Sequence, residues 1–298
     1  MSDIDDQALS ARIAINAPIA ACVTQAAGIL AEGGVNEPRA SARRLVAAAC
    51  NLSPSAMLAR ESKAISGEAR ELLLGYLRRR LSHEPVSKIL GQRSFWKSEF
   101  LVSQAVLDPR PDTELLIEIA VEKLAHRRHE PLRILDLGTG SGAILCALLQ
   151  EFPTSTGSGV DISADACAIA NENIERHGLA KRAEIICGDW TDLSEDEPWD
   201  IIVSNPPYIA TGAIAGLSPD VRDWDPRVAL DGGNDGLDAY RSLGPLIRAR
   251  LAENGLALLE IGFDQAESVP EVMAGFGLTV EAVNRDLGGN PRVVVVKK

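Results

Sequence analysis

The sequence predicts an α/β protein in which a small N-terminal bundle of helices precedes a mostly parallel, doubly wound sheet of seven strands. From residue 133 onward, short apolar segments alternate with longer amphipathic ones, which is the order of strands and helices in a parallel sheet. Residues 1–85 carry only helical patterns. Hydrophobic residues make up 46% of the 298 residues and aromatic residues only 4%, so aliphatic side chains must fill the core.

The N-terminal helices are indicated by residues that favour helix ends. One helix is expected over about residues 18–32, and a second follows with Pro38 in its first turn. Ser53-Pro54 has the pattern of an N-cap followed by proline at the first helical position. Ser66 opens a further helix, whose inner face is predicted to carry Leu73, Tyr76, Leu77 and Leu81.

A change of pattern marks the boundary between two domains. The helical domain covers residues 1–85. Residues 88–107 alternate between apolar and polar side chains, which predicts a short hairpin, so residues 86–110 are assigned to a linker. The second domain covers residues 111–298 and contains the sheet.

The second domain opens with a helix over residues 112–127, capped by Asp112 or Thr113. The predicted strands lie at about residues 133–137, 157–161, 183–187, 200–204, 255–261, 278–284 and 292–297. The later helices are predicted near residues 142–151, 163–177, 238–252 and 265–275. About seven residues join the last two strands, too few for a parallel crossover, so the final strand should run antiparallel.

The run Asn205-Pro206-Pro207-Tyr208, here called the Asn-Pro-Pro-Tyr motif, lies where the strand at 200–204 opens into a loop. This is the usual position of a ligand site in such a sheet. Proline lacks an N–H and fixes φ near about −65°, so the Asn205 side-chain oxygen and the Pro206 carbonyl can form a rigid pair of acceptors. With the flat ring of Tyr208, these acceptors suit a planar –NH2 group, whereas prolines alone would indicate only a stiffened turn.

A long segment follows this motif. Residues 209–236 are rich in Gly, Pro and Asp, and loops of this length are usually lids or binding loops. Because the segment begins directly after the Asn-Pro-Pro-Tyr motif, we expect it to shape a substrate site.

A second candidate site follows the strand at 133–137. Residues 138–142, Gly-Thr-Gly-Ser-Gly, are here called the glycine loop, and they let the backbone turn sharply and approach a ligand before the next helix. Asp136 stands just before this loop and could hold the ammonium group of a bound amino acid. Asp161 ends the next strand and could accept hydrogen bonds from both hydroxyls of a ribose.

The end of the third strand completes this site. Asp189 could accept a hydrogen bond from an adenine amine while Trp190 packs near the ring. Taken singly, Asp136 and Asp161 could be helix-capping residues, and Trp190 could pack at the edge of the core. Their presence at successive strand ends favours one ligand with an ammonium group, a ribose and an adenine, namely S-adenosylmethionine.

Three alternatives stay open from the residues alone. Gly138-x-Gly140-x-x-Ala143 also satisfies the loose dinucleotide fingerprint, as expected of a nicotinamide-dependent oxidoreductase. The Asn-Pro-Pro-Tyr motif also suits an adenine-N6 or guanine-N2 nucleic-acid methyltransferase, which would need a basic groove and a flipped base. A binding protein with a degenerate site is the third alternative, although no expected site residue is missing.

Charge and residue usage limit the partners. The net charge of −12, without a long basic run, disfavours binding to phosphate backbones. The four histidines give no metal-binding pattern, so no metal is predicted. The N-terminal residues 1–6 lack the apolar core of a signal peptide, and no apolar run approaches the ~20 residues that span a bilayer. We expect buried thiols, typical of a reducing cytosol, at Cys22, Cys50, Cys146, Cys167 and Cys187.

The motifs together resemble the class I S-adenosylmethionine-dependent methyltransferases that act on amino groups, which have a Rossmann-like fold. This resemblance is carried by residues 135–142 and by the Asn-Pro-Pro-Tyr motif. Further segments are similar to the HemK/PrmC family of protein-(glutamine-N5) methyltransferases, namely residues 91–96, 109–114, 225–230 and 290–293. The resemblance spans nearly the whole chain.

The resemblance implies methyl transfer to the side-chain amide nitrogen (N5) of the glutamine in the Gly-Gly-Gln motif of peptide-chain release factors, which supports translation termination. The cofactor-binding residues are expected to be Asp136, Gly138, Thr139, Gly140, Ser141, Gly142, Asp161, Asp189, Trp190 and Asn205. The catalytic residues are expected to be Asn205, Pro206 and Tyr208, and the substrate-binding residues Asn205, Pro206, Pro207, Tyr208 and Arg110. We expect a monomer whose helical domain helps to dock class I release factors, without direct nucleic-acid or membrane partners.

The expected chemistry is positioning of a weak nucleophile. An amide nitrogen is a poor nucleophile because its lone pair is delocalised into the carbonyl. If Asn205 and Pro206 accept its two hydrogens, they fix the nitrogen in line with the methyl group and support the positive charge that develops on it. Tyr208 would pack against the glutamine side chain.

Two residues depart from the family pattern. Asp108 precedes Pro-Arg-Pro where the family usually has an aliphatic residue, and Asp225 stands where glutamate is frequent. Asp225 preserves the charge, whereas Asp108 places a carboxylate near Arg110 and could alter the contacts of that segment.

Overall fold

The computed structural model describes residues 6–193 and 198–298. The expectation about a signal peptide concerns residues that lie almost entirely outside these ranges. The chain divides into two compact units, Met1–Gly91 and Gln92–Lys298. The first unit therefore extends beyond residue 85, and the strands of the predicted hairpin belong to the second.

The first unit is helical, and its helices begin where the sequence indicates. They are α1 (Asp6–Arg12), α2 (Ile19–Glu32), α3 (Pro38–Ala49), α4 (Pro54–Leu58), α5 (Gly67–Leu81) and α6 (Val86–Leu90). Ser53 and Ser66 cap α4 and α5 by accepting hydrogen bonds from the backbone N–H groups of Ala56 and Ala69. On α5, Leu73 and Leu77 are fully buried, and the predicted Tyr76 and Leu81 are partly buried.

Helix α6 corrects the predicted start of the hairpin. The alternation was predicted to begin at residue 88, but the Ile89 N–H bonds to the Pro85 carbonyl and closes a helical turn. Gly91 ends the helix in the left-handed region, with φ of 72°. The antiparallel strands follow as β1 (Gln92–Phe95) and β2 (Ser98–Leu101).

The second unit contains a mixed sheet of seven strands. The strands are β3 (Arg133–Leu137), β4 (Thr156–Asp161), β5 (Ala183–Cys187), β6 (Trp199–Ser204), β7 (Leu251–Glu260), β8 (Thr279–Arg285) and β9 (Pro291–Lys297). Their order is β5-β4-β3-β6-β7-β9-β8. The last strand runs antiparallel, as predicted, and lies between β7 and β8.

Helices cover both faces of this sheet. They are α7 (Glu114–Lys123), α8 (Ala143–Glu151), α9 (Ala164–Arg176), α10 (Pro219–Arg222), α11 (Asp238–Arg250) and α12 (Ser268–Gly275). Side chains of β6 alternate between the faces, because Ile201 and Val203 pack with Leu148 of α8, whereas Ile202 packs with Leu243 of α11. The doubly wound arrangement is confirmed.

The remaining details are short turns and free cysteines. The 209–236 loop contains 3-10 turns at Thr211–Gly216 and Arg227–Ala229 in addition to α10. All five cysteines are free, but burial was wrongly predicted for Cys187, which is exposed because it ends the edge strand β5. No helix among the described residues is both long and apolar enough to cross a membrane.

Candidate active site

The two motifs leave the sheet side by side. Strands β4 and β5 lie on one side of β3 and strands β6 and β7 on the other, so the order in which successive strands are added to the sheet reverses between the parallel strands β3 and β6. Leu137 and Ser204, the last residues of these strands, are partners in the parallel register, and the Ser204 hydroxyl donates to the Leu137 carbonyl at 2.7 Å. The glycine loop and the Asn-Pro-Pro-Tyr motif therefore meet at the point where open α/β sheets bind ligands.

The glycine loop needs its glycines. Gly138, Gly140 and Gly142 have φ of 76°, 54° and 75°, a region that strains residues with a side chain. A Cβ added at Gly142 would also come within 3.3 Å of the Ala170 Cβ on α9. The loop thus turns directly from β3 into the start of α8.

Asp136 lies beneath this loop. Its carboxylate is fully buried, and the Thr139 hydroxyl donates to Oδ2 at 2.7 Å. Oδ1 has no hydrogen-bond partner among residues 6–193 and 198–298. Burial raises the pKa of Asp136 to about 7. An unpaired buried carboxylate oxygen fits a cationic ligand, although the predicted contact with an ammonium group stays a prediction.

Asp161 fixes both the glycine loop and helix α9. Its Oδ2 accepts the Gly140 N–H at 2.8 Å, and its Oδ1 accepts the Ser163 N–H at 2.9 Å. Ser163 in turn caps α9 through the N–H of Ala166. Each carboxylate oxygen has a further lone pair, so Asp161 can accept from ligand hydroxyls while it holds the loop.

Asp189 and Trp190 complete the edge of the site after β5. Asp189 Oδ1 accepts the N–H and the hydroxyl of Thr191 at 2.8 and 2.7 Å, and these bonds lower the pKa of Asp189. Trp190 Nε1 donates to the Ser242 hydroxyl at 2.9 Å. This bond fixes the indole so that its ring lies 3.6 Å from where a Cβ on Gly138 would be.

These elements surround a cavity of about 290 Å³. The predicted residues that line it are Gly138, Thr139, Gly140, Ser141, Asp161, Asp189, Trp190, Asn205 and Pro207. The predicted residues that do not line it are Asp136, Gly142, Pro206, Tyr208 and Arg110. Apolar walls from Val106, Ile144 and Val228, with polar groups at the strand ends, suit a ligand that is partly aromatic and partly charged.

The Asn-Pro-Pro-Tyr motif presents acceptors. Asn205 Nδ2 donates to the Thr113 hydroxyl at 3.2 Å, so the other side of the amide carries Oδ1. None of the described residues donates a hydrogen bond to the carbonyl of Pro206, which is buried. Tyr208 donates its hydroxyl to Glu260 at 3.4 Å. The predicted cap role of Thr113 is wrong, because its side chain contacts Asn205 rather than a backbone N–H of α7.

Gln265 also holds the motif, and the sequence analysis did not identify it. Its Nε2 donates to the carbonyls of Tyr208 and Gly236 at 3.1 and 3.0 Å, and its Oε1 accepts the Gly262 N–H at 2.9 Å. The motif is thereby joined to the end of the 209–236 loop. The available signal was position, since Gln265 follows β7, the neighbour of β6.

Asp108 and Asp225, the two residues that depart from the family pattern, lie in one polar cluster. The buried Asp225 carboxylate pairs with Arg110 at 2.8 Å through Oδ2 and accepts the Asp108 N–H at 3.4 Å through Oδ1. The Asp108 carboxylate lies 3.6 Å from Arg93, whose Nε donates to the Pro109 carbonyl. Arg93 therefore balances the charge of Asp108. Together, Arg93, Asp108, Arg110 and Asp225 form what is here called the Arg110–Asp225 cluster, which connects two segments that line the cavity. Binding of substrate by Arg110 stays a prediction.

Stability should fall as pH rises through neutrality. Burial raises the pKa of both Asp136 and Glu260 to about 7, above 3.8 and 4.5, so the folded chain binds protons that the unfolded chain has released. Between pH 5.5 and 7, each group should lower the free energy of unfolding by up to about 1.4 kcal/mol per pH unit, and this slope halves as the pH reaches the folded pKa. Urea unfolding across this range measures the slope.

Two substitutions on the same strand control this prediction. Glu260→Gln should remove the part of the slope due to Glu260, whereas Glu253→Gln, at an exposed position of β7, should leave the slope unchanged. A free energy of unfolding that rises with pH, or an equal effect of the two substitutions, would contradict the assignment.

The fold and the site define a methyltransferase of the seven-stranded type. Residues 95–216 match the family model described as "Methyltransferase small domain", and residues 21–91 match "PrmC N-terminal domain". The first match contains both motifs, at the ends of β3 and β6. It does not include the last three strands of the sheet, β7, β8 and β9.

Curated relatives match most of the chain. The release factor glutamine methyltransferase of Caulobacter vibrioides is 40% identical, covering 91% of this chain and 93% of the relative. That of Rhodospirillum rubrum is 42% identical, covering 89% and 80%. A solved protein-(glutamine-N5) methyltransferase from Alicyclobacillus acidocaldarius is 31% identical over 64% of this chain and 94% of that chain, with a TM-score of 0.38. The chain belongs to the family of release factor glutamine methyltransferases.

Proposed function

We propose that this protein transfers a methyl group from S-adenosylmethionine to the side-chain amide nitrogen of the glutamine in the Gly-Gly-Gln motif of peptide-chain release factors. One observation carries the proposal most directly. The Asn205 amide donates to Thr113 through Nδ2, which leaves Oδ1 as an acceptor, and the carbonyl of the next residue, Pro206, accepts no hydrogen bond from the described residues. Family membership supports the choice of substrate.

The residues of the glycine loop and the strand ends fit S-adenosylmethionine. Asp161 can accept from ribose hydroxyls, Asp189 and Trp190 line the same cavity and would hold the adenine, and Asp136 offers an unpaired oxygen for the ammonium group. When bound, this cofactor supplies an electrophilic methyl group. The cavity walls are mostly apolar, and displacement of water when the ligands bind would strengthen the electrostatic interactions inside it.

The Asn-Pro-Pro-Tyr motif acts on the other reactant. Asn205 Oδ1 and the Pro206 carbonyl accept the two amide hydrogens, which fixes the nitrogen and stabilises the positive charge that develops on it. Because both acceptors are held before substrate binds, this orientation can supply several kcal/mol of the roughly 7–11 kcal/mol that positioning contributes. No strong base stands in the motif, so the nitrogen loses its proton after methyl transfer. Tyr208 packs against the glutamine side chain.

The remaining predictions concern the partners of the protein and its location in the cell. The helical unit would help to dock the release factor, and the chain would act as a monomer without binding nucleic acid directly. The net charge of −12 supports the last point. A cytosolic location rests on the free cysteines and stays a prediction. Neither a nucleic-acid methyltransferase nor a nicotinamide-dependent oxidoreductase is favoured by an observation at the site.

The function is tested with labelled cofactor and a purified class I release factor. Tandem mass spectrometry should locate one added methyl group on the glutamine of Gly-Gly-Gln, and a Gly-Gly-Glu variant of the release factor should stay unmodified. Calorimetry should detect binding of S-adenosylmethionine and none of NAD. Methylation of DNA or RNA but not of the release factor would overturn the proposal.

The Arg110–Asp225 cluster should hold the cavity closed around the cofactor. In Asp225→Ala, loss of the buried carboxylate should lower the free energy of unfolding by about 1–3 kcal/mol, since Arg110 is partly exposed. The loosened 209–236 loop should weaken S-adenosylmethionine binding by about tenfold, or about 1.4 kcal/mol. Thermal unfolding and calorimetry measure the two effects.

Asp223→Ala provides the matched control. Asp223 lies on the same loop and pairs with Arg222, but its side chain is 48% exposed. It loses the same charge, so it should bind the cofactor as the parent chain does. Equal weakening in both variants would show that charge, rather than the connection between the segments, is responsible.

A further inference from the structure

Asn173 is a polar side chain of α9 that is completely buried. Buried polar groups are normally hydrogen bonded, and the partners of Asn173 are backbone groups of two other segments. Its Nδ2 donates to the carbonyls of Leu101 and Ser141 at 3.0 and 2.8 Å. Its Oδ1 accepts the Leu101 N–H at 2.8 Å. Asn173 therefore connects the end of β2 to the glycine loop.

The three partners fix the orientation of the Asn173 amide. The Leu101 N–H can only donate, so Oδ1 must face it. The carbonyls of Leu101 and Ser141 can only accept, and Nδ2 has one hydrogen for each of them. Among side chains of this size, an ionised aspartate lacks both hydrogens and a leucine makes none of the three bonds. Asparagine is the residue that satisfies all three groups.

The segment that follows β2 forms one wall of the cavity. Residues 102–109 are here called the cover segment. Its residues that line the cavity are Ala105, Val106, Leu107 and Pro109. Val102 and Val106 are buried against Ala166 and Ile169 of α9. Because β2 ends at Leu101, Asn173 holds the cover segment at the residue from which it starts.

The glycine loop forms another wall of the same cavity, and α9 supports it as well. Ser141 lines the cavity, and Asn173 holds its carbonyl. A Cβ on Gly142 would come within 3.3 Å of the Ala170 Cβ. Ala166, Ala170 and Asn173 are four and three residues apart, so they lie on one face of the helix. This face of α9 therefore contacts both walls.

We propose that Asn173 is a positioning residue for the cofactor, which holds the glycine loop and the cover segment in the arrangement that binds S-adenosylmethionine. Asn173 itself does not line the cavity. The inference rests on the proposed function, because it requires that S-adenosylmethionine occupies this cavity. Neither segment that Asn173 bonds contains the Asn-Pro-Pro-Tyr motif, so Asn173 should determine cofactor affinity rather than kcat.

The first test is Asn173→Leu, which keeps the size of the side chain and removes its three hydrogen bonds. Calorimetry with the full chain should show S-adenosylmethionine binding weakened by about tenfold or more, because the cofactor must then order both walls as it binds. The kcat for a purified release factor at saturating cofactor should stay close to that of the parent chain, since the cofactor-bound arrangement is the same.

Hydrogen exchange tests the connection without the cofactor. The Leu101 N–H should exchange slowly in the parent chain and faster in Asn173→Leu, which offers it no acceptor. At pH 8, Asn173→Asp keeps an acceptor for this N–H but cannot donate to the Ser141 carbonyl. This variant should therefore retain slow exchange at Leu101 and still bind S-adenosylmethionine more weakly than the parent chain does.

Asn171 provides the matched controls on the same helix. It is exposed, and its Nδ2 donates to the Cys167 carbonyl at 2.9 Å. Asn171→Leu and Asn171→Asp make the same changes of shape and charge two residues away, and both should bind S-adenosylmethionine as the parent chain does. Equal weakening by the substitutions at 171 and 173 would overturn the proposal, because it would assign the loss to α9 as a whole.

The outcomes separate this inference from the proposed function. A parent chain that binds no S-adenosylmethionine would overturn the proposed function. A parent chain that binds it with the same Kd as Asn173→Leu would overturn only the role of Asn173, as would a fall in kcat at unchanged Kd. If Asn173→Leu does not fold, an unchanged Kd in Asn173→Asp at pH 8 would overturn that role instead.

Discussion

Replacing Asn205 by alanine should lower kcat by roughly 10²–10³-fold, the usual cost of removing one preorganised hydrogen-bonding group from an active site. The variant loses the acceptor Oδ1, and the Pro206 carbonyl alone cannot fix both amide hydrogens. It also leaves Thr113 without its donor. Turnover of a release factor under saturating cofactor measures the effect, with calorimetry to follow cofactor affinity.

The control for Asn205→Ala is Asn171→Ala. Asn171 lies exposed on α9, where its side chain donates to the backbone carbonyl of Cys167, and its loss should leave kcat unchanged. Normal turnover together with normal cofactor affinity in Asn205→Ala would refute the role of Asn205. A weaker cofactor affinity with normal kcat would place Asn205 at the cofactor alone.

Replacing Asp161 by alanine should weaken S-adenosylmethionine binding by roughly 10²-fold or more, since hydrogen bonds to a charged group contribute about 1.5–3 kcal/mol each. The variant leaves the N–H groups of Gly140 and Ser163 without their acceptor. The glycine loop then loses its fixed conformation, and a ribose loses its partner. Calorimetry with S-adenosylmethionine measures the change.

Two further variants separate the contributions of Asp161. Asp161→Asn keeps one acceptor oxygen, so its affinity should lie between those of Asp161→Ala and the parent chain. Asp165→Ala removes a carboxylate from an exposed position in the first turn of α9 and should bind the cofactor normally. Unchanged affinity in Asp161→Ala would contradict the assigned cofactor site.

Most of the sheet could be predicted from the sequence because its strands are apolar, short and bounded by clear turns. The antiparallel direction of β9 could be predicted because the connection before it is short. Its insertion between β7 and β8 could not be predicted, because strand order depends on packing between segments that are distant in sequence. Helix α6 was missed for a local reason, since five residues are too few to show a helical period.

Some residues of the candidate site could likewise be predicted from the sequence, and others could not. Asp136, Asp161 and Asp189 could be predicted because each lies at or just beside the carboxyl end of a strand, and parallel strands bring these ends to one edge. Thr113 and Glu260 could not be, since Thr113 contacts Asn205 across 92 residues of chain and Glu260 contacts Tyr208 across 52. Thr113 has the local pattern of a helix cap, and a tertiary contact prevails over that preference.

The central claim is that Asn205 Oδ1 and the Pro206 carbonyl hold the two hydrogens of a glutamine amide. It is tested most directly by a crystal structure of the protein with S-adenosylhomocysteine and a Gly-Gly-Gln peptide. The glutamine nitrogen should lie within hydrogen-bond distance of both oxygens, about 2.7–3.2 Å, with the cofactor sulfur on its opposite side. A glutamine nitrogen that contacts neither oxygen, or an Asn205 amide turned with its nitrogen toward the peptide, would contradict the claim.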